Sequence, residues 1–390
     1  MSTSKESENL SIYSIRTMDV DIDILGQIEE SHSENTLLDA TQADIDGEMC
    51  ISEAFSTPQD FLSPIQRFKQ KSLLGSGAYG EVWLAQDQMV QRPVAVKQLI
   101  NKDTVVLENV KNEAALGARV AHPGTPTIYD IGLDDDGQFR VIMEYMEGES
   151  LDKVINRLKE GDPKTHAEYP FHVRAEMVSQ LLRVLVAAHK KSIVHCDIKP
   201  ANILVGLSKE VYLCDWGIAY DLNQSLRTRI KGTPNFMAPE QMTLNDFDER
   251  ADLFGVAALA YQFLSLYDWH PYSNDIKAYM TEKLSHKPKL IDSVFHHAQG
   301  YVPSEYKAWV HKGLSLEPNL RHQSAVEMLK ELEDIQNGIF CVVCPRTMIK
   351  HWSYRYLKAL DRRPTTVMSL TVATLVASVI GIFSLGLFLS

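Results

Sequence analysis

The chain has 390 residues, 45% of them apolar and 23% charged, with a formal charge of −12. These proportions allow a sizeable buried core and exclude wholesale disorder, while length alone leaves one large domain or two equally open. The charge is concentrated: residues 1–60 hold 14 acidic against 2 basic side chains, so the rest balances at 37 of each and offers no net field for nucleic acid. Five cysteines, at 50, 196, 214, 341 and 344, are few and irregularly spaced, and no apolar signal segment follows the polar start Met1–Lys5. Reduced thiols in a cytosolic compartment are the expectation.

Residues 1–64 combine scattered acids with Ser and Thr and no sustained apolar period, which predicts a flexible acidic tail, a solvated tether or a phospho-acceptor segment. A globular domain is expected over 65–337. Its first part carries short runs rich in β-branched residues, Glu81–Ala85, Pro93–Lys97 and Phe139–Met143, which read as strands. Between them Asp103 caps a predicted helix over Thr104–Ala118, with Val106, Val110, Ala114 and Leu116 on or near one face. From about residue 171 the period turns helical, most clearly over Val173–His189, Ala251–Leu266 and Ser324–Ile335 before Gly338.

The last stretch differs in kind. Residues 338–364 form a basic segment in which Arg346, Lys350, Arg355, Lys358, Arg362 and Arg363 stand against Asp361. A transmembrane helix is expected over 365–389, because Val367–Leu389 is 23 mostly apolar residues and at about 1.5 Å each spans a bilayer core of about 30 Å. The positive-inside rule then keeps the globular domain in the cytoplasm, and only Ser390 follows the span. Ala373, Ala377 and Gly381 recur every four residues and permit close helix contact, so a homodimer through the span is one expectation and lipid-facing filler the other. Cys341-Val-Val-Cys344 lacks the four ligands of a structural zinc site and is read as free or acylated thiols; His296 and His297 are assigned no role.

Within the globular domain, Gly75-Ser76-Gly77-Ala78-Tyr79-Gly80 fits a glycine loop whose backbone N–H groups approach phosphate oxygens closely. A strand, Glu81–Ala85, follows it where a dinucleotide-binding fold would place a helix, so the hairpin form is favoured. Seventeen residues on, Val94-Ala-Val-Lys97 sets an ammonium at the end of an apolar strand, with Glu113 on the next helix as its expected anion and Glu108 as the competitor. His195-Cys196-Asp197-Ile-Lys199-Pro-Ala-Asn202 is the most specific signal: a carboxylate to accept or orient an attacking hydroxyl, a lysine beside a phosphoryl group in transfer, and an amide able to ligate Mg²⁺. Asp215-Trp216-Gly217, thirteen residues after Asn202, adds a second hard oxygen ligand.

This set resembles the eukaryotic-type, or Hanks-type, serine/threonine protein kinases over residues 67–336, with details such as His122-Pro-Gly124 closest to bacterial membrane-anchored members. The resemblance implies an α+β, bilobal kinase fold, with a small β-rich lobe, a larger α-helical lobe and ATP between them. It implies transfer of the ATP γ-phosphate to Ser/Thr hydroxyls of protein substrates, autophosphorylation included. By position it makes Asp197 the catalytic base, with Lys199 beside it indicating serine/threonine acceptors, and Lys97 with Glu113 the ion pair that positions ATP. Asn202 and Asp215 become the Mg²⁺ ligands. Leu74, the 75–80 loop, Val82, Glu144 and Met146 become nucleotide contacts, Met143 the gatekeeper, and Glu144–Met146 the hinge at the adenine edge. Gly232–Glu240 resembles the end of the activation segment, with Thr233 near the substrate hydroxyl, Glu240 paired with Arg321, and Asp252 bracing the catalytic loop.

Two positions depart from the family pattern. Cys196 stands where arginine is common, and a thiol cannot pair with a phosphorylated activation segment as a guanidinium does, so activation is expected to need no phosphate–arginine latch. Trp216 replaces the usual phenylalanine. Both raise an alternative of another class, a membrane-tethered pseudokinase scaffold that binds nucleotide without turnover, although every phosphate- and metal-contacting residue type is retained.

Overall fold

Five strands build an antiparallel sheet in the order β1-β2-β3-β5-β4: β1 (Phe68–Gly77), β2 (Gly80–Asp87), β3 (Arg92–Leu99), β4 (Ile128–Leu133) and β5 (Phe139–Glu144). The computed structural model describes residues 67–77, 80–99, 104–133, 138–224, 232–242, 247–270, 281–282 and 288–339, and beyond them 348, 352, 353, 356, 360, 367–374 and 376. Period-2 alternation divides the sheet into two faces. Phe68, Ala85, Val94, Val96 and Ile142 bury one of them. On the other, Val82, Lys97 and Val141 lie opposite one another across β2, β3 and β5, flanked by Leu74, Ala95, Leu99 and Phe139. The expected strands are present, each longer by one or more residues, and β1 and β4 join them.

Helix α1 (Thr104–Arg119) covers the second face. Val110 and Ala114, one turn apart, pack on Leu99, Phe139 and Val141, whereas Leu116, together with Val120 just past the helix, belongs to the core of the helical part. The helix therefore touches two cores at once.

The rest of the domain is mostly helical around that larger core. β6 (Gly148–Ser150) leads into α2 (Leu151–Lys159) and the short α3 (Pro163–Glu168), whose first turn Asp162 caps through the Thr165 N–H at 2.9 Å. Helix α4 (Phe171–His189) buries Met177, Leu181, Leu182, Val184 and Leu185. β7 (Ile193–Val194), β8 (Ile203–Gly206), β9 (Val211–Leu213) and β10 (Tyr220–Asp221) form two small sheets, β6-β8-β9 and β7-β10. After α5 (Pro239–Met242) comes α6 (Arg250–Ser265), apolar almost all round and buried along nearly its whole length, as a central helix must be. α7 (Lys307–Gly313) and α8 (Ala325–Gln336) close the domain. Ser324 caps α8 by accepting the Glu327 N–H at 3.1 Å, worth about 1 kcal/mol.

Two buried carboxylates fix loops to this core. Glu240 meets Arg321 in a two-point pair at 2.6 and 2.8 Å, as the resemblance implies, and the guanidinium also donates to the carbonyls of Arg250, Ser315 and Leu316. Asp252 on α6 accepts the N–H groups of His195 and Cys196, each at 2.8 Å, and lies 2.9 Å from His189 Nε2. Burial pushes the Asp252 carboxyl up, but the hydrogen bonds from His189 and the His195 N–H outweigh it and hold the group below the usual carboxylate range.

Among the described residues no helix is long and apolar enough to cross a membrane. Of the predicted span only 367–374 and 376 are described, and they are helical. Residues 1–66 and Cys341 and Cys344 lie outside the described residues.

Arg321→Ala strands a buried Glu240 carboxylate and is expected to cost about 3–5 kcal/mol in urea unfolding; a loss under 1 kcal/mol would show the pair contributes little. Because the folded Asp252 pKa is depressed, its stabilisation is complete above the unfolded value of about 3.9 and disappears as pH falls through the lower folded value. Asp252→Asn should therefore be less stable at pH 7 and show a flatter stability profile between pH 5 and 2, and coincident profiles for the two proteins would contradict this.

Candidate active site

The glycine-rich turn closes the β1–β2 hairpin. Gly75, Ser76 and Gly77 end β1 and pair with Val82, Glu81 and Gly80, while Ala78 and Tyr79 lie outside the described residues. Gly80 is glycine for a local reason, since a Cβ there would sit 2.2 Å from the Gln98 carbonyl of β3. Beneath the hairpin Leu74, Val82 and Ala95 form a buried apolar patch against Met143 and Tyr145, and Met146 is buried just beyond. The Glu144 carboxylate is engaged by the Thr127 hydroxyl at 2.8 Å.

At the inner edge of this patch the Lys97 ammonium meets both oxygens of Glu113, at 2.6 and 2.7 Å, so Glu113 takes the place for which Glu108 competed. Both side chains are largely withdrawn from solvent. Burial pulls the Lys97 ammonium down, yet the charges of Glu113 and Asp215 outweigh it and hold its pKa above the usual value. Burial pushes the Glu113 carboxyl up, with Lys97 opposing and Asp215 adding to the rise.

Below them the loop from His195 to Asn202 converges on Asp197. Its Oδ2 lies 2.7 Å from Lys199 Nζ and 3.0 Å from Asn202 Nδ2, and its Oδ1 accepts from the Thr233 hydroxyl at 2.8 Å and the Thr233 N–H at 3.1 Å. Lys199 donates to the same hydroxyl at 3.0 Å. All three loop residues are buried, and Asn202 Oδ1 is buried without a hydrogen-bond partner. Such an atom is costly unless something occupies its lone pairs.

Asp215 carries φ +62° and Cys196 φ +68°, left-handed conformations that cost about 1–3 kcal/mol each in non-glycine residues. Cys196 is held there by Asp252 on its N–H and by Gln241 Nε2 on its carbonyl at 3.2 Å. Gly217 packs closely beside Asp215, since a Cβ there would lie 3.1 Å from Asp215 Oδ1 and 3.4 Å from Glu113 Oε2. The Cys214 thiol is pushed up to about 12 by burial and by Asp215, so it stays protonated.

Sequence reasoning missed what surrounds Trp216. Its buried indole stands edge-on to the His195 ring at 4.7 Å and lies over Gly117 of α1, where a Cβ would touch it at 3.4 Å. A glycine inside a predicted helix was the one available signal, since it lowers helix propensity and so invites a packing reason. The ion pair between Arg119 at the end of α1 and Asp221 on β10, at 2.6 Å, carried no sequence signal. Among the described residues no group of three or more His, Cys, Asp or Glu side chains could hold a metal ion; the hard oxygens of this region without a hydrogen-bonded cation are the partnerless Asn202 Oδ1 and the Asp215 carboxylate, whose charge acts on Lys97.

The model of the protein kinase domain matches residues 68–332. The chain is 27% identical over 300 residues to serine/threonine-protein kinase PknD of Chlamydia felis, covering 70% of this chain and 31% of that one. It is 29% identical over 283 residues to a probable serine/threonine-protein kinase of Streptomyces coelicolor, covering 70% and 40%. With serine/threonine-protein kinase PknH of Mycobacterium tuberculosis it shares 31% over 264 residues, covering 66% and 40%. It thus spans about a third to two fifths of the length of these curated relatives. The lysine–glutamate pair under a glycine hairpin, the loop converging on Asp197 and a family match over most of the chain agree, and the chain belongs to the protein kinase domain family.

Proposed function

We propose that this chain is an ATP-dependent serine/threonine protein kinase that acts on protein hydroxyls and on itself. The observation that carries the reading is the Thr233 hydroxyl, which donates to Asp197 Oδ1 while its own oxygen accepts from Lys199, the arrangement a hydroxyl acceptor needs. In this reading Asp197 orients the acceptor hydroxyl and takes its proton as the oxygen–phosphorus bond forms and the bond to the ADP oxygen breaks. Lys199 balances charge on the phosphoryl group in transfer, Lys97 holds the nucleotide phosphates, and Glu113 holds Lys97. The patch of Leu74, Val82, Ala95 and Met143 suits a flat apolar base, with Glu144–Met146 along its edge.

Mg²⁺ fits the site. The partnerless Asn202 Oδ1 and the Asp215 carboxylate are hard oxygen donors, and two protein ligands suffice for an ion that keeps waters and shares the substrate phosphates. When bound, it neutralises charge on the β- and γ-phosphates. Asn202 also orients Asp197 through its Nδ2, so one side chain serves both groups.

The stretch Val367–Leu389 is read as a membrane-spanning helix that keeps the kinase domain, 65–337, at the cytoplasmic face behind the basic segment, with the acidic tail as a tether. The run Ala373, Ala377, Gly381 is read as a contact between two copies. What supports these readings is composition.

With radiolabelled ATP, Mg²⁺ and a generic protein substrate, the purified chain should transfer label to Ser and Thr. Asp197→Asn should lower kcat about 10²–10⁴-fold and Lys97→Met should abolish label transfer; wild-type protein that binds ATP without transfer would establish the scaffold instead. Alkaline extraction should leave the full chain in the membrane pellet and release a chain cut before residue 365. Release of the full chain would remove the anchor, and crosslinking in those membranes to monomer alone, with and without Ala377→Leu, would remove the pairing.

A further inference from the structure

We propose that Arg119 and Asp221 are a positioning pair that holds helix α1, and with it Glu113, against the segment 215–221, doing the work that a phosphate–arginine contact cannot do beside Cys196. The proposal rests on the kinase reading. Among the described residues, the contacts that join α1 to that segment include Glu113 beside Gly217, Gly117 beneath Trp216, and Arg119 on Asp221. The first two bring glycine against a carboxylate and a flat ring, so neither interlocks side chains; Val110, Ala114 and Leu116 hold α1 on its two cores by apolar packing, which fixes its depth more firmly than its rotation. The third is directional. Arg119 Nη1 lies 2.6 Å from Asp221 Oδ2 while its Nη2 reaches the Lys191 carbonyl at 3.3 Å, in the turn before β7. Asp221 Oδ1 accepts both the N–H and the side-chain amide of Asn223 at 3.0 Å, so the whole carboxylate is engaged and is only 7% exposed. The hydrogen bond from Arg119, above all, holds that carboxyl below its usual range.

The placement of the pair gives it leverage. Arg119 lies in the last turn of α1, where a cation is also favoured by the helix dipole. Asp221 lies on β10, which pairs with β7 immediately before the catalytic loop, and Leu222 N–H donates to Ser192 O at 2.8 Å. On the same stretch the Cys196 side chain joins Val194 and Ile218 in an apolar cluster with Tyr220, Leu222 and Phe247 against it. Strand β10 is therefore fixed from one side by apolar packing at the position where the family carries arginine, and from the other by the guanidinium of α1. Loosening the pair lets α1 rotate and separates Glu113 from Lys97, so ATP is held less well.

The test uses the full chain in detergent, with ATP affinity read by a fluorescent ATP analogue, steady-state KM and kcat, and the melting temperature. Arg119→Ala and the isosteric Asp221→Asn should each weaken analogue binding and raise KM for ATP about fivefold to thirtyfold, with KM for the protein substrate unchanged. In a Glu113→Gln background Arg119→Ala should add little further loss, because both act through the same ammonium; Arg119→Lys should recover part of the affinity. Wild-type binding by both single variants, or losses at 113 and 119 that multiply, would overturn the proposal, as would a fall in melting temperature with binding intact. Wild-type protein that binds the analogue but transfers no phosphate would end the kinase reading while leaving the pair decided by the binding data.

Discussion

The ion pair between Lys97 and Glu113 is the contact on which the site depends, because its halves come from different elements and neither is stable alone where it stands. A withdrawn ammonium or carboxylate without its partner costs several kcal/mol. Lys97 is placed by the register of three strands, between Val82 and Val141. Glu113 is placed by a helix anchored in two cores, through Val110 and Ala114 above and Leu116 below. Anything that moves α1 relative to the sheet opens the pair, so the docking of that helix and the competence of the nucleotide site are one physical question.

The lower half of the site is held by a different device. Cys196 and Asp215 sit in left-handed backbone that their side chains do not favour, on either side of the residues that converge on Asp197. The strain is offset by buried partners: Asp252 accepts two successive N–H groups from a helix in the centre of the core, and Gln241 donates to the Cys196 carbonyl. The turn of the chain at Cys196 carries Asp197, Lys199 and Asn202 into contact, and Thr233 joins them from the far side. The Cys196 side chain suits its apolar cluster, whereas it offers a phosphate nothing.

Much of this was legible because the chemistry is local in sequence. Lys97, Asp197, Lys199 and Asn202 lie in short motifs whose residue types follow from what they must touch, and the helices over 171–189, 250–265 and 325–336 advertise themselves by period. The two-residue strands β7 and β10 were not legible, since their only reason to be extended is each other. Helices α2 and α3 were passed over, being short elements set by packing and by Asp162. The role of Gly80 was legible only in part: phosphate approach accounts for a glycine, but the Gln98 carbonyl requires one. Trp216 read as an oddity until Gly117 was seen beneath it, and Arg119 with Asp221, separated by 102 residues, are joined only by the fold.

The proposed nucleotide site is thus assembled by packing and ion pairs internal to the chain. The direct measurement is the time course of phosphate transfer by protein prepared with a phosphatase and shown by mass spectrometry to be unphosphorylated. Transfer that is linear from the first turnover, and unchanged by preincubation with Mg²⁺-ATP, is the predicted result. A lag that preincubation abolishes would contradict it, because assembly would then be waiting for a phosphate.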